Sequence, residues 1–202
     1  MSGAIGPAGI AILGTIVVLS LFGLYGSPAF LERCLFRPYW FLRKRDYPTA
    51  VLAGFVHADL PHLLFNSITF WFFGIPLERL IGTRPFLVLY FAGLLLSQFG
   101  TWAKHRDNPD YATLGASGAI SAVLFASIVY LPTQSIFILP IPFPIPAPLF
   151  AVGYLAYTWW SAKHARGRIN HDAHFAGALT GLAFVALAHP QAYSRAFALL
   201  TN

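Results

Sequence analysis

Six apolar runs follow one another along this chain, separated by one long amphipathic link and then by shorter polar or proline-rich ones. The first, Ile10 to Tyr25, holds no charged side chain at all. A hydrocarbon core about 30 Å thick is crossed by about 20 apolar residues in a helix. In lipid, backbone groups find no water, so each crossing must satisfy its own hydrogen bonds, and a helix does so. Composition points the same way. Charged residues make up 10% of the 202 and hydrophobic residues 57%, against roughly 25% charged in an ordinary soluble domain. The expected fold is all-α: one polytopic membrane domain over residues 1–202, a six-helix bundle with no soluble domain of its own.

The segments read as follows. No basic stretch or soluble domain flanks Ile10–Tyr25 in the manner of a signal peptide, so it is expected to remain as a span. The connection from Gly26 to about Leu60 mixes Phe36, Tyr39, Trp40 and Phe41 with Arg37, Arg43, Lys44 and Arg45. Aromatic rings and long cations both settle at a membrane interface. The second and third segments, about Leu60–Leu80 and Pro85–Trp102, are joined by so short a link that they should form an antiparallel hairpin. The fourth starts near Ser117 and stops near Leu131, because Pro132 ends it. At 1.5 Å per residue it is about 22 Å long, too short for a full crossing, so its first residues should lie below the membrane surface. The link 132–148 is proline-rich and is expected to be extended, like polyproline. A fifth segment, about Leu149–Ser161, a basic link and a sixth segment, about His171–Ala188, lead to a short tail.

Polar groups inside lipid are expensive and tend to be functional. Three clusters stand out. Gly115-Ala116-Ser117-Gly118 opens the short fourth helix, with small residues on both sides of a serine. Ala173-His174-Phe175-Ala176-Gly177 opens the sixth, and Gly177 and Gly181 are spaced for close helix packing. His57, His62 and Asn66 lie at the start of the second, with His62 and Asn66 four apart and so on one face. Each cluster alone also suits helix packing, capping or interhelical hydrogen bonding. Together they hold a nucleophile, a base in His174 and oxyanion donors in His62, Asn66 and the backbone N–H of Ser117. His171, three residues before His174, is a rival base. Four histidines can also converge on a metal, but none shows the His-Glu-x-x-His spacing of a zinc helix, and no metal is expected. Cys34, the only cysteine, has no His nearby and reads as inert packing.

The order His-x-x-x-x-His-x-x-x-Asn, then Gly-x-Ser-Gly, then Ala-His-x-x-Gly resembles the rhomboid intramembrane serine proteases. The resemblance covers nearly the whole chain. It implies a Ser117–His174 dyad with no acidic third member, an oxyanion hole from His62, Asn66 and backbone at Ser117, and supporting roles for His57, Gly115 and Gly118. It implies cleavage of single-span membrane proteins in or near their transmembrane segment, with no cofactor. Three departures are visible, the first being the proline-rich link 132–148 after the fourth helix, unusual for the family. The Trp-Arg pair of many relatives has no match before His57, Trp40 and Arg43 being nearest. The tyrosine that some relatives place four residues after the serine, stacked on the base, is here Ser121, so His174 must be held otherwise.

The remaining classes fit less well. A catalytically inactive relative that binds transmembrane helices would be expected to lack Ser117 or His174. A channel or transporter would carry ionisable groups in mid-helix, and these spans have almost none. The net charge of +6 comes from short loop clusters, which suit anionic head groups; nucleic acid would need a basic face on a folded soluble domain. The expected partners are therefore the bilayer and transmembrane substrates, and the expected location is the cell membrane. Orientation has two answers. Ten of the thirteen Lys and Arg lie in the first, third and fifth links, which by the positive-inside rule puts the amino terminus outside. The family resemblance implies the reverse.

Overall fold

The computed structural model describes residues 6–138, 142–164 and 169–201. Its elements, in chain order, are mostly helical. Helix α1 (Pro7–Leu21) widens into a π turn at Phe22–Gly26. Three short helices follow in the long first connection: α2 (Pro28–Cys34), α3 (Pro38–Arg43) and α4 (Thr49–Leu52). The long helices α5 (Leu60–Ile81) and α6 (Thr83–His105) come next. After them stands α7 (Ser117–Tyr130). A two-residue ladder of β1 (Ser135–Ile136) and β2 (Ile145–Pro146) leads to α8 (Ala147–His164). Helices α9 (His171–Ala188) and α10 (Gln191–Thr201) complete the chain.

Local chemistry sets the boundaries. Proline stands in the first turn of α1, α2, α3 and α5, where its missing N–H has no intrahelical partner to lose. The Ser27 hydroxyl caps α2 by accepting from the Phe30 N–H at 3.2 Å, and Asp59 caps α5 by accepting from the His62 N–H at 2.8 Å. Between α5 and α6 the chain reverses on Gly82 alone, whose φ of +86° is left-handed backbone that glycine adopts without strain.

α7 is the axis of the bundle. All twelve residues from Gly118 to Val129 are buried, as a helix that is apolar all round requires. The outer helices cover it and turn Val18, Phe72, Val88, Phe99 and Val152 outward, a surface that suits lipid. Three of them, Pro7–Gly26, Leu60–Ile81 and Thr83–His105, are long and apolar enough to cross a membrane, and α9 and α10 pass that test together across a 105° bend. The chain is a multi-pass membrane protein.

Two contacts set the relative direction of α1 and α5. The Glu78 carboxylate, near the end of α5, accepts the N–H groups of Ala8 (3.1 Å) and Gly9 (2.7 Å) at the start of α1. At the far end of α1, Ser20 meets His57, just before α5. The two helices are therefore antiparallel, and the bundle has a Glu78 end and a His57 end.

Three expectations need correction. The described part of the link 132–148 is not a free polyproline strand. Ser135 pairs with Pro146 and Ile136 with Ile145 in antiparallel register, and the Ala147 N–H closes the hairpin on the Gln134 carbonyl. Proline does not forbid this ladder: Pro146 stands within it at the end of a two-residue strand, where it has only a carbonyl to offer; residues 139–141 lie outside the described residues. The fifth helix runs to His164, three residues beyond Ser161, with the Lys163 ammonium 3.8 Å above the Trp159 ring; residues 165–168 of the basic link lie outside the described residues. The tail is not a bare end, because α10 folds back across the Glu78 end of the bundle.

Candidate active site at the head of the short central helix

Ser117 is the first residue of α7, and no side chain caps that helix. A helix leaves its first N–H groups without intrahelical partners, so the start of α7 presents open donors around Ser117. The preceding Gly115 has a φ of +123°. Its N–H is tied to the Ala53 carbonyl at 2.8 Å. A Cβ at this position would lie 2.7 Å from Cε1 of His62. Glycine is thus needed twice, once for the backbone angle and once to let the His62 ring lie against the chain.

His174 lies on α9, which crosses α7 at backbone contact. A Cβ on Gly177 would fall 2.0 Å from the Gly118 carbonyl oxygen, and one on Gly181 2.2 Å from that of Ala122. Gly118 is equally confined, since its Cβ would meet Ser97 Oγ at 2.2 Å and the Ala173 carbonyl at 3.4 Å. The spacing Gly177/Gly181 therefore does what small residues do in membranes: it lets two helices touch through their backbones. Ser117 and His174 adjoin the Gly118–Ala173 contact, one on each helix.

The second-helix cluster also assembles at this end. Asn66 is buried, and its Nδ2 donates to the His62 carbonyl at 3.0 Å, one turn earlier. His57 is fully buried in the connection before α5 and stands edge-on to His62, ring centroids 4.7 Å apart. Its Nε2 accepts the Ala116 N–H at 3.4 Å, so its proton is on Nδ1 and donates to Ser20 Oγ at 3.0 Å. Burial and the neighbouring His62 push this imidazole down to about 3, against a weaker upward pull from Asp59. A neutral ring is what both bonds require. His57 thus ties α1 to the turn that carries Ser117.

Two side chains that the sequence did not single out complete the surroundings. Tyr154, on α8, lies nearly parallel to the His174 ring, with centroids 6.3 Å apart and planes at 16°. Its hydroxyl meets Ser121 Oγ at 3.2 Å. Asp172, two residues ahead of His174, is held by Lys104 Nζ at 2.9 Å and by His105 Nε2 at 3.1 Å. It braces the start of α9 against the end of α6. No periodicity flags Tyr154, because its partner is on another helix. His171 is buried and meets two rings edge-on, Tyr157 at 5.4 Å and His174 at 6.1 Å between centroids. Cys34 is buried, and burial pushes its thiol up, which leaves it a packing group.

These features define a polytopic helical membrane protein with a polar site gathered at one end of its bundle, around the start of a short buried helix. The Rhomboid domain family matches residues 44–191, nearly three quarters of the chain, and the chain belongs to the rhomboid family. It is similar to Rhomboid protein 1, mitochondrial, of Saccharomyces cerevisiae, 28% identical over 187 residues that cover 86% of this chain and 51% of that protein. It is also similar to RHOMBOID-like protein 12, mitochondrial, of Arabidopsis thaliana, 29% identical over 145 residues, 64% of this chain and 43% of that protein. Over a shorter stretch, 65 residues and 32% of either chain, it is 40% identical to the Putative rhomboid protease YdcA of Bacillus subtilis. The chain thus spans about half the length, or less, of the curated relatives it matches.

Proposed function

We propose that this protein is an intramembrane serine endopeptidase of the rhomboid family that cleaves single-span membrane proteins in or near their transmembrane segment. Ser117 is the nucleophile and His174 the base. The observation that supports this most is the backbone contact of α7 with α9 at Gly118 and Gly177, because Ser117 adjoins one of these glycines and His174 lies one turn before the other. Membership of the family supports it independently.

The chemistry runs in two halves. His174 takes the Ser117 hydroxyl proton as Oγ attacks the scissile carbonyl carbon. Negative charge then builds on the carbonyl oxygen. The donors for it are the open N–H groups at the start of α7, with the side chains of His62 and Asn66. Gly115 keeps the His62 ring close, and Gly118 keeps α9 close. His174 next protonates the leaving amine, which departs and leaves an acyl-enzyme on Ser117. Water, deprotonated by the same imidazole, releases the acid product. No cofactor enters these steps. The site of action is the cell membrane, and the substrates are other membrane-spanning chains.

The test is cleavage of a tagged single-span substrate by the purified protein in detergent, beside Ser117→Ala and His174→Ala. Cleavage that both variants lose supports the dyad. Equal cleavage by all three overturns it.

A further inference from the structure

The dyad lacks a third member. Among the described residues, no carboxylate bonds the His174 ring, and the nearest along the chain, Asp172, is already engaged by Lys104 and His105. A base whose ring can turn spends time out of line with its nucleophile, so something else must hold it. We infer that Tyr154 is the positioning residue for the base: its ring, offered from α8 and tethered to Ser121, holds the His174 imidazole in register with Ser117. The inference rests on the dyad proposed above and goes one step beyond it.

Three observations carry it. The Tyr154 and His174 rings are offset and nearly parallel, 6.3 Å and 16° apart, within the range of favourable aromatic pairs. The tyrosine itself is fixed at its far end, because its hydroxyl shares a hydrogen bond of 3.2 Å with Ser121 Oγ. Phe125 and Phe150 flank its ring, each with its centroid at 5.4 Å. Ser121 stands one helical turn after Ser117 on α7, so the two share a face. The chain of contacts Ser121–Tyr154–His174 therefore links the nucleophile's helix, α8 and the base's helix in one unit. The imidazole also meets His171 edge-on at 6.1 Å. Among the described residues, the two rings that contact it carry no carboxylate.

A positioning role has a signature that packing alone lacks. Loss of the ring should lower kcat while KM for a membrane substrate stays as it was, because the substrate still binds and only the alignment of base and nucleophile suffers. An aromatic pair of this kind is expected to be worth about a 3- to 10-fold change in rate. Tyr154→Phe keeps the ring and loses only the tether, so its kcat should stay within about 3-fold of wild type. Tyr154→Leu keeps apolar volume without a planar ring. Ser121→Tyr introduced into Tyr154→Ala offers a ring to the same cavity from the α7 side.

The experiment is a kinetic comparison of wild type, Tyr154→Phe, Tyr154→Leu, Tyr154→Ala and Tyr154→Ala with Ser121→Tyr. It measures kcat and KM on a tagged single-span substrate, the rate of Ser117 labelling by a fluorophosphonate, and the thermal midpoint in detergent. The expected result is a fall in kcat and labelling rate for Leu and Ala, near-wild-type values for Phe, and recovery in the double variant, with KM constant throughout. Leu or Ala variants that fold and react at the wild-type rate overturn the inference and leave the dyad standing. So does a loss seen only as a lower midpoint and yield. Failure of wild type itself to be labelled at Ser117 overturns the dyad, and the inference falls with it.

Discussion

The contact of α9 with α7 yields a prediction with a magnitude. A methyl group added at Gly177 would lie 2.0 Å from the Gly118 carbonyl oxygen, where ordinary contact begins at 3.4 Å. The obstacle is backbone, so no side chain can swing away. The helices must part by about 1.4 Å, the difference between those two distances. Forcing an extra carbon into a packed interface costs about 1–3 kcal/mol, which a folded bundle can survive. The chemistry is more sensitive, since a displacement of about 1 Å in a reacting group can cost about 100-fold. Gly177→Ala should therefore remain folded, with a lower thermal midpoint, and lose about two orders of magnitude in kcat. Gly153→Ala is the control, because a Cβ there meets nothing within 4 Å, and it should be silent. The assay is cleavage of a single-span substrate in detergent, with the midpoint read by tryptophan fluorescence. Gly177→Ala at the wild-type rate would refute the reasoning.

Three further predictions follow from separate parts of the molecule. Gly115→Ala meets both a φ of +123° and the His62 ring at 2.7 Å; it should cost about 1–3 kcal/mol of stability and lower kcat, read by the same two assays. Glu78 accepts two N–H groups of α1 and, at 2.8 Å, the Thr83 hydroxyl while almost wholly buried. Glu78→Gln replaces an accepting oxygen by a donor and should destabilise by about 1–3 kcal/mol, visible as a lower unfolding midpoint, with KM unchanged because the residue is at the end of the bundle away from Ser117. The His57 ring, held down to about 3, makes stability depend on pH. An unfolded histidine takes its proton near 6.5 and the native ring refuses it, so the contribution is fully present above about 6.5 and is lost as pH falls towards 3. The slope is about 1.4 kcal/mol per pH unit, or about 2 kcal/mol between pH 7 and pH 5. Unfolding in detergent at those two pH values should show it, and His57→Gln should flatten it.

Much of the fold was legible because hydrophobic runs and proline act locally. The limits of the second, fourth and sixth helices lie at Leu60–Ile81, Ser117–Tyr130 and His171–Ala188, within a residue of expectation. Pro61 opens one helix and Pro132 follows the end of another. The shortness of α7 was readable for the same reason. Its burial on every side was not, because burial depends on how the other helices surround it. α10 was missed although Ala192, Ala196 and Leu199 recur at helical spacing; its 11 residues are too few to read as a crossing. The hairpin of β1 with β2 was missed because six prolines in 132–148 suggest an isolated extended chain, and only the pairing partner reveals otherwise. In the site, the pairing of His62 with Asn66 came from spacing along one helix, and His57 joined them by nearness in sequence. The Tyr154 stack joins residues on α8 and α9 with a tether to α7, and no one-dimensional spacing encodes it. Sequence showed only that Ser121 left the position empty.

The basic loops also gain a physical reading. Arg43 lies 3.9 Å from the Tyr39 ring, Lys44 4.1 Å from Trp40, Arg106 5.4 Å from Trp102 and Lys163 3.8 Å from Trp159. Each cation rests on an aromatic face, the pairing expected of side chains at the edge of a bilayer. These charges therefore form a belt around the Ser117 end of the bundle.

The central claim is that Ser117 is a nucleophile activated by His174. Fluorophosphonate labelling of the purified protein, followed by peptide mapping, tests it without knowledge of the natural substrate. The account predicts one modified residue, Ser117, with labelling abolished in His174→Ala and retained in His171→Ala. Labelling at another serine, or labelling of Ser117 that His174→Ala leaves unchanged, would contradict it.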